Sequence, residues 1–324
     1  MIKLDDIREP VGLEMKEFNK QFKNSVSSNI PLLNLVTAYV LKRKGKQMRP
    51  LFVFLTSKLT GEITPSSYTA ASLIELMHTA TLVHDDVVDD SNERRGVFSV
   101  KAIWRSKIAV LLGDYLLAKG LMLAVQHKEY DLLEIVSNAS REMSEGELLQ
   151  LQKSRSLNID IETYYEVIRK KTATLIAACT SSGARASGAS PEIIMKAYEM
   201  GINIGMAFQI KDDLFDYQDN GLIGKPAGND IKEKKFTLPL IYALNQSDRH
   251  RSKGMIRKIN RDKKNQQLVN EVVQFVKENG GVEYAFEKMV EFKQKALQIL
   301  DSFPDSPAKN SLKDLVEYTV SRKK

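Results

Sequence analysis

Apolar residues recur along this chain at three- and four-residue intervals, the period of a helix buried on one side. The pattern is sustained over 104–126, 131–153, 160–186 and 192–218, each long enough for several turns. The strict alternation of a large sheet persists nowhere, and Gly (17) and Pro (9) are sparse for the turns such a sheet requires. There is no Gly/Ser- or Pro-rich linker and no low-complexity tract. The pattern predicts one all-α domain spanning residues 1–324.

Two places break the apolar rhythm in the same way. Asp85-Asp86-Val87-Val88-Asp89 is followed, 127 positions later (212 − 85), by Asp212-Asp213-Leu214-Phe215-Asp216. The approach to each is almost uncharged: Ala70 to His84 holds only Glu75, and Ala197 to Ile210 only Glu199. Carboxylates ending such buried helices are costly unless something compensates them. On a helix the first and last Asp of each triad lie about 40° apart, one turn removed. Each triad therefore offers two or three hard oxygen ligands on one face. Two such faces meeting across a cavity would hold several divalent cations, which commonly hold a diphosphate. A solvated surface is the usual reading of a single Asp pair, and the apolar flanks argue against it here.

The net charge of +7 and pI near 9.1 raise the question of an anionic partner. Part of the charge sits near the triads or between them: Lys46, Arg49, Arg94, Arg95, Lys170, Lys171, Lys225 and Lys235. The rest concentrates from Arg249 to Lys264, with eight Lys or Arg against one Asp. That run has no interleaved aromatics and no nucleic-acid motif, so nucleic acid is not an expected partner. A solvated helix–loop surface is expected there, with peripheral contact to anionic lipid as the alternative. The first residues lack the layout of a signal peptide, and the apolar stretch Ile108 to Val125 is interrupted by Asp114 and Lys119. A single cysteine, Cys179, excludes an internal disulfide and a Cys-based zinc site. The expectation is a soluble cytoplasmic protein.

Cations suited to phosphate stand at element ends. Gly45-Lys46-Gln47-Met48-Arg49-Pro50 precedes an apolar run, and Arg94-Arg95-Gly96 follows Asp89 closely. Arg suits planar bidentate phosphate contacts and Lys point-charge contacts. With these residues in place, the segment from Leu76 through His78, His84, Asp85 and Asp86 to Arg94-Arg95-Gly96 resembles the first aspartate-rich region of the trans-polyprenyl diphosphate synthase family. Phe208-Gln209-Ile210-Lys211-Asp212-Asp213-Leu214-Phe215-Asp216 resembles the second. Arg169-Lys170-Lys171-Thr172-Ala173 is similar to the family's Lys-Thr segment, and Gly224-Lys225-Pro226 with Lys235-Phe236-Thr237-Leu238-Pro239 to its closing lysine loop. The matches run in order from Gly45 to Pro239, about 60% of the chain.

The resemblance implies an all-α isoprenoid-synthase fold of roughly a dozen helices around a central cavity, commonly a homodimer. It also implies head-to-tail prenyl transfer from an allylic diphosphate to isopentenyl diphosphate with three Mg²⁺. By the same resemblance, Asp85 and Asp89, supported by Asp86, hold two Mg²⁺, and Asp212, supported by Asp213 and Asp216, holds the third. Arg94, Lys171, Gln209, Lys225 and Lys235 contact the allylic substrate. Lys46, Arg49, His78 and Arg95 bind isopentenyl diphosphate. Backbone carbonyls near Lys171 and Thr172, with the Gln209 amide, face the developing carbocation. Three positions depart from the family pattern. Gln47 replaces a basic residue, Lys211 a neutral one, and Lys234 a glycine, which leaves Lys234 in competition with Lys235 for the substrate. Spacing to Thr237 and Pro239 favours Lys235. His84, beside the triad, is expected to be a satisfied helix residue, since a His-Asp phosphohydrolase site needs further His ligands.

Helical geometry also bears on product length. Thr81, His78, Met77 and Ile74 descend from Asp85 on or near its face, with Ala80 beside Thr81, and Ile74 lies about 16 Å down. Small Ala80 and Thr81 leave a passage open at its first turn, Met77 is flexible, and Ile74 narrows it. The expected product is long, of octaprenyl type, seven to nine isoprene units for a quinone side chain. Met122 to Val125 and the region of Leu148 and Leu149 are alternative floors of the passage. A farnesyl- or geranylgeranyl-length product, or the catalytic half of a two-protein synthase, is the alternative function.

Overall fold

A computed structural model describes residues 3–42, 45–94, 96–156, 160–217, 229–232, 235–261 and 266–321. Among these, α-helices follow one another from Leu4 to Ser321, sixteen when single-turn helices are counted. The described sheet is a two-residue antiparallel pair, Glu93–Arg94 with Val97–Phe98. The all-α expectation holds. Contacts cluster into two compact units, each assembled from three stretches. One comprises Met1–Ser140, Ile176–Tyr198 and Ser302–Asp314, and the other Arg141–Leu175, Glu199–Asp301 and Leu315–Lys324.

The first unit is organised by the Pro65–Val88 helix, which starts at a reciprocal Thr64/Ser67 capping box with Pro65 in its first turn. Its neighbour, Val100–Gln126, meets it through glycines seven residues apart. A Cβ on Gly113 would stand 2.1 Å from His84 Nε2, and one on Gly120 would stand 3.1 Å from Leu73 Cδ1. Ala109, Leu112, Leu116 and Ala124 complete the buried face. Ile103, Val110, Leu111, Leu121, Met122 and Val125 lie exposed on other faces. Apolar residues on several faces explain why this helix is long and apolar enough to meet a membrane-span criterion while packing against a core helix. Its backbone departs from helical geometry at Arg105, where φ is 71°.

In the second unit Leu238–Gln246 packs with Gln266–Glu278 and Gly281–Asp301 around Ile241, Val272, Phe275, Val276 and Ala285. Gly281 permits the closest approach, since a Cβ there would meet Pro239 O at 2.2 Å. The basic Arg249–Arg261 helix gives part of its charge to a neighbour: Arg251 pairs with Glu278 and Lys258 with Glu271, each at 2.7 Å. The structure thus turns part of the basic run into ordinary surface ion pairs, worth little individually.

Candidate active site

In the first unit the helix ends at Val88, so Asp89 is its C-cap and does not continue the helix, though its N–H still bonds Asp85 O at 2.8 Å. Asp85 and Asp89 are exposed, whereas Asp86 is buried. The buried carboxylate is engaged: Arg94 Nε donates to Asp86 Oδ1 at 2.6 Å, and Ser91 N–H bonds the Asp86 carbonyl at 3.0 Å. Asp86 therefore ties down the segment that returns Arg94 beside the triad. Gly96 turns the small hairpin at φ +74°. Ser99 bonds Ser91 O and caps the next helix, and Lys101 pairs with Asp90. Arg95 lies outside the described residues.

The Lys46 loop is built from the N-terminal helices. Arg8 Nη2 donates to Lys46 O at 2.5 Å. Gln47, left-handed at φ 47°, exchanges amide hydrogen bonds with Asn19. Where the family pattern has a basic residue, Gln47 thus fixes the loop that presents Lys46 and Arg49. Lys46 is exposed, Arg49 half-buried at the start of Met48–Thr60, and His78 buried. Cys179 is also buried, and burial pushes its thiol up to about 12 against the opposing pull of Arg49. His84 Nε2 faces Val110 O at 3.2 Å and Asp114 at 3.5 Å, the satisfied helix residue expected.

The second unit encloses a cavity of about 280 Å³. Lys171, Thr172, Gln209, Asp212, Asp213 and Lys235 line it together with Gln150, Tyr164, Phe236 and Thr237. Lys171 and Thr172 stand on a π-helical turn, Arg169–Ala173, between Ile161–Ile168 and Thr174–Ala186. Such wide turns recur at functional sites. Glycines on two neighbouring helices make room for this one. A Cβ on Gly146 would meet Lys171 N at 2.9 Å, and one on Gly205 would meet Ala173 Cα at 2.3 Å. Lys171 bonds Gln150 at 2.8 Å and pairs with Glu147. A hydrogen bond to Glu145 raises the Lys170 ammonium above its ordinary value.

Thr172 Oγ1 donates to Gln209 Oε1 at 2.8 Å, and Gln209 Nε2 donates to Asp213 Oδ1 at 2.8 Å. Tyr164 Oη donates to the other carboxylate oxygen at 2.7 Å. Burial, then the Asp213 charge, holds the Tyr164 phenol well above its usual range, so it remains a donor. The Pro191–Leu214 helix stops before Asp216, which lies buried in the 3-10 turn Phe215–Tyr217. The second triad therefore runs from the helix into a tighter turn, with Asp212 half-buried and Asp213 and Asp216 buried. Lys211 turns its ammonium over the Phe215 ring at 5.1 Å. Lys225 and Lys234 lie outside the described residues.

Sequence reasoning missed Tyr164, Gln150, Asn19 and Arg8. Tyr164 stands seven residues before Lys171, two turns on the same side, which was the available signal. Ala80, Met77 and Ile74 are buried in the first unit, and Thr81, half-buried, bends its hydroxyl back to His78 O. Of the alternative floors, Met122, Val125 and Leu148 are exposed.

Among the described residues no three His, Cys, Asp or Glu side chains converge to hold a metal on their own. Asp85 and Asp89, exposed and one turn apart, suit a hard cation such as Mg²⁺ that completes its shell with water and phosphate oxygens.

The polyprenyl synthetase family model matches residues 30–276. An all-trans-nonaprenyl-diphosphate synthase (geranyl-diphosphate specific) of Rhodobacter capsulatus is 34% identical over 98% of this chain and 97% of its own. The crystal structure of a decaprenyl diphosphate synthase from Rhodobacter capsulatus superposes with a TM-score of 0.93 at 32% identity, covering 98% of this chain and 99% of that one. A geranylgeranyl pyrophosphate synthase from Bacteroides thetaiotaomicron is 38% identical at a TM-score of 0.83, covering 98% of each chain.

Proposed function

The chain belongs to the polyprenyl synthetase family and is a prenyltransferase, and we propose that it builds a long trans-polyprenyl diphosphate by adding isopentenyl diphosphate to an allylic diphosphate. The observation that carries this reading is the cavity in which two lysines and two carboxylates share the wall with the Thr172–Gln209 pair. Cations and acceptor oxygens are the two needs of a reaction that releases diphosphate and leaves a carbocation.

Arg94, steadied by Asp86, and Lys171 and Lys235 take up the charge growing on the departing diphosphate. Asp85 and Asp89, and separately Asp212, would hold Mg²⁺, expected as three ions, which would supply Lewis-acid stabilisation of that charge. As the allylic C–O bond breaks, the Thr172 and Gln209 oxygens and the Lys171 carbonyl offer negative dipole ends to the cation. Lys46, Arg49, His78 and Arg95 hold isopentenyl diphosphate. Its double bond forms the new C–C bond, and a proton passes to the released diphosphate.

A product of seven to nine isoprene units, of the quinone side-chain type, is supported by the small residues Ala80 and Thr81 and by the nonaprenyl relative. A geranylgeranyl-length product is the second reading, favoured by identity to the Bacteroides enzyme. The enzyme works in the cytoplasm as a homodimer, for which the exposed Leu111, Leu121, Met122 and Val125 offer an apolar contact surface. Arg249, Lys253, Arg257 and Arg261 offer an exposed contact to anionic lipid.

The test is incubation of the purified chain with Mg²⁺, isopentenyl diphosphate and geranyl, farnesyl or geranylgeranyl diphosphate, followed by chain-length analysis. Long products from the chain alone support the reading. Elongation only after a second protein is added would establish a heteromeric synthase, and no elongation would exclude prenyl transfer.

A further inference from the structure

Asp213 has a protein partner at each carboxylate oxygen, Tyr164 at one and Gln209 at the other. Asp213 and Tyr164 are each 4% exposed, so this exchange takes place away from solvent. Each link has a fixed donor sense. The carboxylate only accepts, so the phenol donates to it and the NH₂ end of Gln209 must face it. That orientation turns the Gln209 carbonyl to Thr172, whose single hydroxyl proton is spent on the bond. Only lone pairs remain on the Thr172 oxygen for any further partner. Rotating the Gln209 amide by half a turn would set its carbonyl against a buried carboxylate and leave the Thr172 donor without its acceptor, a costly state.

We infer that Tyr164 and Asp213 are positioning residues that lock this chain in one sense, so that Thr172 meets the reacting centre as an acceptor. A cation forming beside it then encounters an oxygen lone pair in place of a donor proton, and no dipole has to reorient as the charge develops. The inference rests on the prenyl-transfer reading and gives Asp213 an orienting role in place of metal ligation. Asp212 keeps the ligand role. Tyr164 enters the reaction without touching it, two hydrogen bonds from the Thr172–Gln209 bond.

Tyr164→Phe removes one hydroxyl and keeps the ring. The expected result is a fall in kcat of about ten- to hundredfold, the range of a hydrogen bond to a charged group. KM for both diphosphates and the half-saturating Mg²⁺ concentration stay within about twofold, because the substrates' contacts are untouched. Asp213→Asn is compared with Asp212→Asn by calorimetric binding of a non-ionisable allylic thiodiphosphate in the presence of Mg²⁺, a readout independent of turnover. Asp213→Asn should bind as the native chain does, and Asp212→Asn should bind at least tenfold more weakly. Thr172→Ser, which keeps the hydroxyl, should lose less kcat than Thr172→Val, which removes it at the same shape. Wild-type kcat in Tyr164→Phe, or equal loss of Mg²⁺-dependent binding in both Asp variants, would overturn the inference. Melting curves identify a variant that has not folded, and the Asp213→Asn binding comparison then decides. A native chain that elongates no allylic diphosphate overturns the prenyl-transfer reading itself, a result separate from either of these.

Discussion

Gln47 Nε2 donates to Asn19 Oδ1 at 2.8 Å, and Asn19 Nδ2 returns the bond to Gln47 Oε1 at 3.4 Å. This amide pair, with Arg8 on the Lys46 carbonyl, ties the Lys46 loop to the first helices of the chain. Asn19→Leu keeps the branched four-atom skeleton and removes both bonds to Gln47 along with the bond to Met15 O. KM for isopentenyl diphosphate should rise about three- to tenfold, the value of one or two neutral hydrogen bonds, while KM for the allylic diphosphate stays put. Initial-rate kinetics with each substrate varied in turn checks this, and equal change in both KM values counts against it.

Asp86→Asn weakens the hold on Arg94 while leaving Asp85 and Asp89 in place. The expected loss is about tenfold in kcat/KM for the allylic diphosphate. Combined with Arg94→Gln, the double variant should lose little more than the worse single one, because the two side chains act as one unit. Additive losses in that cycle would separate them.

Gly205→Ala sets a methyl 2.3 Å from the Ala173 backbone, where no flexible side chain can move aside. Overpacking of this kind costs about 1–3 kcal/mol, and the wide turn that carries Thr172 must shift. Both the melting temperature and kcat should fall. Gly120→Ala, whose new methyl meets the movable Leu73 side chain at 3.1 Å, should lower stability less and leave kcat intact.

Ala80→Phe fills a fully buried position below the first triad. Product analysis should show a shorter chain, and an unchanged length distribution would move the floor of the passage to another element. Some loss of thermal stability accompanies the change, because a large ring replaces a methyl at a fully buried position.

Cys179 is the molecule's single thiol, and burial raises it to about 12. An exposed thiol near pH 8 carries appreciable thiolate, but this one stays neutral and covered until pH approaches that raised value. An aromatic disulfide reagent at pH 8 should release about one equivalent of thiol only after guanidinium unfolds the chain. Rapid reaction of the native protein would contradict the buried placement.

The repeating apolar pattern made the helices legible, and the uncharged approaches to both triads marked where chemistry belonged. Less legible was how the triads end. Asp89 and Asp216 have the same spacing from their partners, yet one caps a helix in solvent and the other is buried in a 3-10 turn. Spacing fixes angular position only while the helix continues. Tyr164 escaped notice for a different reason. An aromatic at an apolar-face position looks like core, and only its phenol partner, 49 residues away, reveals the second role. Arg8 and Asn19 were invisible because their partners lie 38 and 28 residues along the chain.

The wide turn at Arg169–Ala173 has one more consequence, best expressed as phase. An unbroken α-helix would set positions 164 and 172 about 80° apart around its axis. One extra residue absorbed in the π turn reduces the offset to about 20°, bringing Tyr164 and Thr172 to the same wall of the cavity. Rewinding this turn as regular α-helix with no residue removed would therefore carry every side chain beyond it about a quarter-turn away from its partners. Deleting one residue within it would keep that phase and lose only the wide turn itself.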